Sequence, residues 1–158
     1  MIPKIFHHIW MGKNEMHAGC KDCLKIMRQL HPDFEFILWD DNKVETFMKT
    51  EFPEYYDKFY ELPRLMMKID YLRFFAIYKY GGIYTDLDYY MLKKYDLLDY
   101  DAVFPCSRES DDGKIVLLGN CIYSAMPEHP FLKTLVESLL TIDRSKVNFD
   151  LDNSLDKD

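Results

Sequence analysis

The segment that most constrains this chain runs from residue 63 to residue 88: an apolar helical stripe, two glycines, and a short strand that ends on two acids. Leu65, Ile69, Leu72 and Ala76 recur at the spacing of one helix face. Pro63 suits the first helical position, where its missing N–H costs nothing. Gly81-Gly82 ends the helix, because glycine enters the left-handed region without a Cβ clash. Ile83-Tyr84-Thr85-Asp86 then reads as a strand leaving the glycines directly.

The start of the chain supplies the matching pieces. Residues 4–9 are β-branched and aromatic and predict a first strand. Residues 20–30 carry Cys20, Cys23, Leu24, Met27 and Leu30 at helical spacing before Pro32 stops the pattern. Residues 34–39 form a second strand, and Asp40-Asp41-Asn42 can cap a short helix reaching about Thr50. A strand, helix, strand order predicts a parallel α/β unit. Between Pro53 and Pro63 a Tyr-rich stretch reads as a short helix. Further extended pieces are expected over 88–92, 101–105 and 121–124, and a last helix over 130–140. No repeat or linker divides the chain, so one domain is expected over 1–142, followed by an acidic, aperiodic tail over 143–158.

Composition narrows the functional classes. At 48% apolar and 30% charged residues the chain has ample core material, which excludes disorder. Its net charge of −7, without a run of Lys or Arg, argues against nucleic acid or an anionic membrane as a general partner. No apolar stretch approaches the roughly 20 residues of a transmembrane helix. The opening residues lack the basic head and apolar core of a signal peptide, so a cytoplasmic protein is expected. Cys20, Cys23, Cys106 and Cys121 are expected to be reduced, with the Cys20/Cys23 pair structural on a helix face.

The chemistry concentrates after the glycines. On extended chain, Asp86 and Asp88 would point to the same side and could hold Mg²⁺ or Mn²⁺; the plain alternative is a solvated turn. Three residues apart on the preceding helix, Asp70 and Arg73 share a face. They make either a surface ion pair or a hydrogen-bonding pair for a polyhydroxylated ligand, and spacing alone leaves both open. The excess acid is local: residues 1–85 hold 12 basic and 12 acidic side chains, whereas residues 86–112 hold 3 and 8. A diphosphate near that segment would be repelled unless a cation intervened.

Residues 70–88, D-x-x-R followed by an apolar run and G-G-I-Y-T-D-L-D, resemble the signature of glycosyltransferase family 32, which includes yeast α-1,6-mannosyltransferases and bacterial capsule enzymes. The opening I-P-K-I-F-H-H-I-W-M-G and residues 34–40 are similar to two further family motifs, and Asn120 with Pro127 to Leu132 to a weaker downstream one. The resemblance implies a GT-A fold, a Rossmann-like α/β domain with a mostly parallel central sheet flanked by helices. It also implies a metal-dependent, retaining transfer of a hexose from a nucleotide diphosphate sugar, such as a UDP- or GDP-hexose, to a glycan or other hydroxyl acceptor, as in polysaccharide biosynthesis. Carried over by position, Trp10 would stack on the base, Asp70 and Arg73 would bind the donor sugar, and Asp86 and Asp88 would hold Mn²⁺ or Mg²⁺. Asp70, Arg73 and Asp88 would be the catalytic set; Tyr84, Gly82 and Asn120 would shape or contact the bound donor, Gly82 by lacking a Cβ. Ile69 stands where the family usually has Ser, and family domains usually continue past the length seen here.

Two rival readings accompany this one. A sugar-nucleotide-binding module lacking the acceptor half would bind donor without transfer. An aspartyl phosphatase would use Asp86 as nucleophile, but that class carries its D-x-D on the first strand. Elsewhere the bland readings are preferred. His7 and His8 alternate on a strand, so one is expected buried and the other partly exposed; His129 is a turn or cap residue; Tyr55 to Tyr60 pack a helix rather than line an acceptor groove.

Overall fold

The structure, a computed structural model, describes residues 1–109 and 116–141. The tail expected over 143–158, and with it the domain limit at 142, lies outside the described residues. Strand β1 (Ile5–Ile9), helix α1 (Ala18–Leu30), strand β2 (Glu35–Trp39) and helix α2 (Asp41–Glu51) follow the order expected. Asp40 caps α2, its carboxylate accepting from the Lys43 N–H at 2.9 Å. A 3-10 turn (Pro53–Tyr55), α3 (Tyr56–Tyr60), α4 (Leu65–Tyr80) and β3 (Gly82–Thr85) come next. The last elements are β4 (Ala102–Val103), β5 (Cys106–Glu109), β6 (Val116–Leu118), β7 (Ile122–Ala125) and α5 (Pro130–Thr141).

The central sheet has the order β2-β1-β3-β7-β4. β1 pairs in parallel with β2 and β3, whereas β7 runs antiparallel to both β3 and β4, so four of the five strands share one direction. Helix α1 covers one face through Cys23 and Met27, packed with Phe6, Phe34 and Ile83. The other helices cover the opposite face around Val44, Phe59, Phe75 and Leu132. β5 and β6 form a separate two-stranded ribbon that no periodicity announces. Among the described residues no helix is long and apolar enough to cross a membrane.

Helix α4 departs from its expected face and start. Arg64, in extended conformation, is its N-cap, so Pro63 lies outside the helix rather than at its first position. The stripe Leu65/Ile69/Leu72/Ala76 is buried only in its second half: Leu72 and Ala76 are fully buried, but Leu65 is 45% exposed. The buried set is Leu72, Arg73, Phe75, Ala76 and Ile77, which surrounds most of the helix. A helix sandwiched between a sheet and neighbouring helices has no single core face, so a stripe is the wrong template for it.

The two glycines are required where they stand. Gly81 has φ 64° and donates to the Ile77 carbonyl, and a Cβ there would lie 2.6 Å from Pro127 Cδ. Gly82 has φ 101°, and a Cβ would lie 2.6 Å from the Ile5 carbonyl oxygen. What approaches Gly82 is therefore strand β1, not a ligand, and its expected role at the donor gives way to close strand packing.

Both histidines of β1 are buried, against the expectation of one partly exposed. They do point to opposite faces, but helices cover both. His7 accepts from Trp39 Nε1 at 3.1 Å through Nδ1, so its Nε2 carries the proton and donates to the Gly81 carbonyl at 3.0 Å. His8 Nδ1 lies 3.2 Å from the Thr85 carbonyl and 3.0 Å from its hydroxyl, while Nε2 has no partner. Burial pulls both imidazoles down to about 4, against the opposing pull of their backbone hydrogen bonds, so both are neutral at pH 7.

Candidate active site

β1 and β3 run in parallel with His7 opposite Tyr84, so their C-terminal ends open on the same edge of the sheet. Directly after β3 the chain turns. The Tyr89 N–H donates to the Asp86 carbonyl at 3.2 Å and the Asp86 N–H donates to the Cys121 carbonyl at 2.8 Å. Residues 88–92 form no strand, so the D-x-D lies on a turn rather than on extended chain. Leu87 is buried between a partly exposed Asp86 and an exposed Asp88.

Helix α4 delivers Arg73 to this edge. The side chain is only 4% exposed, so Asp70 and Arg73 are not the surface pair that spacing alone allowed. Arg73 Nη2 lies 2.8 Å from Asp70 Oδ1, and Nη1 donates to the Asn120 carbonyl at 2.8 Å and lies 3.7 Å from Asp86 Oδ1. The guanidinium covers the Tyr84 ring at 4.7 Å. A planar fork with several donors can serve these partners at once, which a lysine ammonium could not. The Tyr84 hydroxyl donates to Asp86 Oδ1 at 2.6 Å, and Asn120 Nδ2 donates to Asp70 Oδ1 at 3.3 Å. Five of the expected site residues, Asp70, Arg73, Tyr84, Asp86 and Asn120, thus form one bonded cluster.

Two expected residues stand beside it. Asp88 is exposed, and among the described residues it makes no hydrogen bond or ion pair. Trp10 directly follows β1 on the same sheet edge and is partly exposed rather than a core residue. Its Nε1 donates to the Asn14 carbonyl at 2.8 Å and its ring meets His17 edge-on at 5.8 Å, and among the described residues no hydrogen bond or ring contact joins it to the cluster. His129 accepts from the Phe131 N–H at 3.3 Å at the start of α5, the capping role expected. Tyr55 and Phe59 are buried against α4, which bears out helix packing for the Tyr-rich stretch.

The cluster holds more negative charge than its arginine balances. Burial raises the Asp70 carboxyl above its ordinary value; Arg73 opposes that shift and the charge of Asp86 adds to it. Burial raises the Tyr84 phenol in the same way, so it remains a donor to Asp86. Two carboxylates on the turn, one of them unpaired, are hard oxygen donors suited to a divalent cation. No group of three or more His, Cys, Asp or Glu side chains converges on a point among the described residues. Carboxylates of this kind suit an ion such as Mg²⁺, which one or two of them hold and phosphate and water complete. Among the described residues they do not form a cage made wholly by the protein.

One residue at the site is not signalled by any motif. Tyr123 pairs directly across from Tyr84 in the antiparallel β3–β7 ladder, its ring 5.7 Å away, and Phe104 stacks on it at 5.3 Å. Among the described residues its hydroxyl is buried without a partner, as is Arg73 Nε. Only the β3–β7 register could have pointed to it.

Comparison with known proteins agrees with this architecture. An inositol phosphoceramide mannosyltransferase of Schizosaccharomyces pombe is 35% identical over 139 residues, covering 87% of this chain and 37% of the relative. A mannosyl phosphorylinositol ceramide synthase of Saccharomyces cerevisiae is 34% identical over 141 residues, covering 88% and 35%. The chain spans about two fifths of the length of the curated relatives it matches. Among solved structures, PaToxG glycosyltransferase superposes with a TM-score of 0.68 at 18% identity, over 93% of this chain and 64% of that one. The fold is accordingly the mixed α/β GT-A type, with a mostly parallel sheet between helices. Residues 18–105, more than half of the chain, match the family described as glycosyltransferase sugar-binding region containing DXD motif, and the chain belongs to that family.

Proposed function

We propose that the chain carries the donor site of a metal-dependent, retaining glycosyltransferase, which moves a hexose from a nucleotide diphosphate sugar to a hydroxyl acceptor. The observation that carries this reading is the single cluster joining Asp70, Arg73, Tyr84, Asp86 and Asn120 beside the exposed Asp88. The names of the relatives support mannose as the sugar and an acceptor bearing inositol phosphate.

Asp70, partly open to solvent, accepts from sugar hydroxyls while Arg73 keeps its carboxylate oriented. Arg73 places positive charge near the leaving diphosphate; fixed donors in a desolvated site are worth more there than in water. Asp86 and Asp88 would hold Mn²⁺ or Mg²⁺, which when bound neutralises charge on the diphosphate as a Lewis acid. Trp10 offers an indole face to the base. In the transfer, the bond from the anomeric carbon to the diphosphate oxygen breaks and a bond to the acceptor oxygen forms on the same face. The acceptor proton passes to the leaving diphosphate, so no protein base is required.

A second reading is donor binding without transfer. The phosphatase reading is weakened because Asp86 is already engaged by Tyr84 and lies near Arg73. The test is a panel of UDP- and GDP-sugars with Mn²⁺, followed by thermal shift and nucleotide release. At least one donor is expected to raise the melting temperature and release nucleotide, and Asp88→Ala is expected to lower release about 100-fold. Shift without release selects the binding module. No shift with any donor, or an Asp88→Ala variant that behaves as the parent, sinks the site assignment.

A further inference from the structure

Among the described residues three side-chain polar atoms are buried without a hydrogen-bond partner: His8 Nε2, Arg73 Nε and the Tyr123 hydroxyl. In a core that is otherwise well paired, each such atom calls for an explanation. His8 faces the α1 side of the sheet, stacked on Phe36. The other two atoms belong to side chains that both pack on the Tyr84 ring, the Arg73 guanidinium at 4.7 Å and the Tyr123 ring at 5.7 Å.

Packing accounts for the Tyr123 ring but not for its hydroxyl. Phe74, Tyr84 and Phe104 surround the ring at 6.0, 5.7 and 5.3 Å, and a phenylalanine would meet the same three. The next residue on β7 shows the ordinary arrangement. Ser124 points to the other face and is fully buried, and its Oγ lies 2.6 Å from the hydroxyl of Tyr95, in the arch that residues 89–98 form beyond the D-x-D turn. Tyr123 has no such partner. Burial holds its phenol well above the ordinary value, and the charges that bear on it are those of the cluster: Arg73, Tyr84, Asp70 and Asp86. The hydroxyl is therefore neutral, with a proton to give and lone pairs to accept with.

Arg73 supplies the complementary group. Its Nη1 and Nη2 are engaged with Asn120, Asp86 and Asp70, while the Nε–H is spare. Two of those three partners are the carboxylates that the transferase reading commits elsewhere, and they are the open ones: Asp70 is 41% exposed and Asp86 34%, against 4% for Arg73. As they turn to their ligands, the guanidinium keeps the Asn120 carbonyl at its tip and the Tyr84 ring against its face. One bond at the tip lets the plane swivel. A second at Nε, the base of the fork, fixes it.

We propose that Tyr123 is a positioning residue for Arg73, its hydroxyl accepting the Arg73 Nε–H when the donor is bound and keeping the guanidinium aimed at the leaving diphosphate. The inference rests on the transferase reading and adds what holds the arginine during transfer.

The test is Tyr123→Phe. In urea its unfolding midpoint should equal or slightly exceed that of the parent, because the unliganded protein loses no bond. Nucleotide release with the donor panel should show kcat about tenfold lower and KM within about twofold of the parent, as for an interaction realised in the transition state. In NMR, the Arg73 Nε–H signal, identified by its loss in Arg73→Lys, should exchange with water about tenfold more slowly once UDP or GDP is added with Mg²⁺, and Tyr123→Phe should abolish that protection. Phe104→Leu loosens the packing of the same ring but keeps the hydroxyl, so it should lower the urea midpoint and keep kcat. The inference is overturned if Tyr123→Phe releases nucleotide as the parent does, if its kcat falls only together with its stability, or if Phe104→Leu loses as much kcat. It is equally overturned if the Nε–H protection survives without the hydroxyl. A parent that binds nucleotide without releasing it leaves the decision to the Nε–H signal. Donor binding and release that are indifferent to Tyr123 leave the transferase reading standing; a parent that binds no nucleotide sinks both.

Discussion

Strand β3 is four residues long, and its two ends are built on opposite principles. At the Gly82 end everything is closed: no side chain fits on the glycine, and both ring nitrogens of His7 are bonded, one to Trp39 and one to Gly81. At the Asp86 end the chain turns into solvent, carboxylates outnumber the one arginine, and three buried polar atoms, Arg73 Nε, the Tyr123 hydroxyl and His8 Nε2, have no partner among the described residues. Satisfied polar groups hold a fold together, whereas unsatisfied ones in an otherwise well-paired core mark a place shaped for something else. The contrast separates what this strand does for stability from what it offers to a ligand.

Acidification should act on both ends at once, through His7 bonded to Gly81 and His8 beside Thr85. Burial depresses both His7 and His8 from 6.5 to about 4, so the unfolded chain takes up protons that the folded chain does not. Their contribution is fully present above about pH 6.5 and is lost as pH falls from there toward 4, about 2 kcal/mol per histidine by pH 5. Urea unfolding between pH 7 and pH 5 should show that fall, and a flat profile would contradict the burial of the pair. Next in size is Gly82→Ala, which forces a non-glycine residue to φ 101° against the Ile5 carbonyl. A loss of about 3 kcal/mol is expected in chemical denaturation. The smallest effect is a paired comparison. Trp39→Phe strips the donor from His7 and should cost about 1–2 kcal/mol, while Tyr123→Phe removes a hydroxyl without a partner and should be neutral or slightly stabilising. Equal losses from the two would show that the ends of β3 do not differ as described.

Much of the fold is legible in the residues because its first elements are local and strongly periodic. Cys23 and Met27 lie on the face that α1 buries, and Asp40 caps α2 where the acidic cluster predicts it. The grouping of the candidate residues was legible too, since Asp70, Arg73, Tyr84, Asp86 and Asn120 all enter one bonded cluster. What could not be read is set by long-range contacts. An i, i+2 pair of acids suits a strand and a turn equally, and the Cys121 carbonyl that receives the Asp86 N–H is 35 residues away. The same distance hides Tyr123, which reaches the site only through the antiparallel β7. Leu65 fits a helical stripe but lies on a turn of α4 that stays 45% exposed. The environment of His8 needs Met27, Phe36 and Thr85, from three separate elements, before its burial can be inferred.

The arch from residue 89 to residue 98 hangs on a few fixed points, Tyr95 against Ser124 and His31, and the Leu98 carbonyl against Ile2. Between those points the side chains of Tyr90, Leu92 and Lys93 are exposed, and the sheet does not depend on them. Substitutions there are cheap for folding. Such an arrangement leaves the surface of the arch free to vary while the bonded cluster and the core stay untouched, much as a loop can be regrafted on a fixed frame.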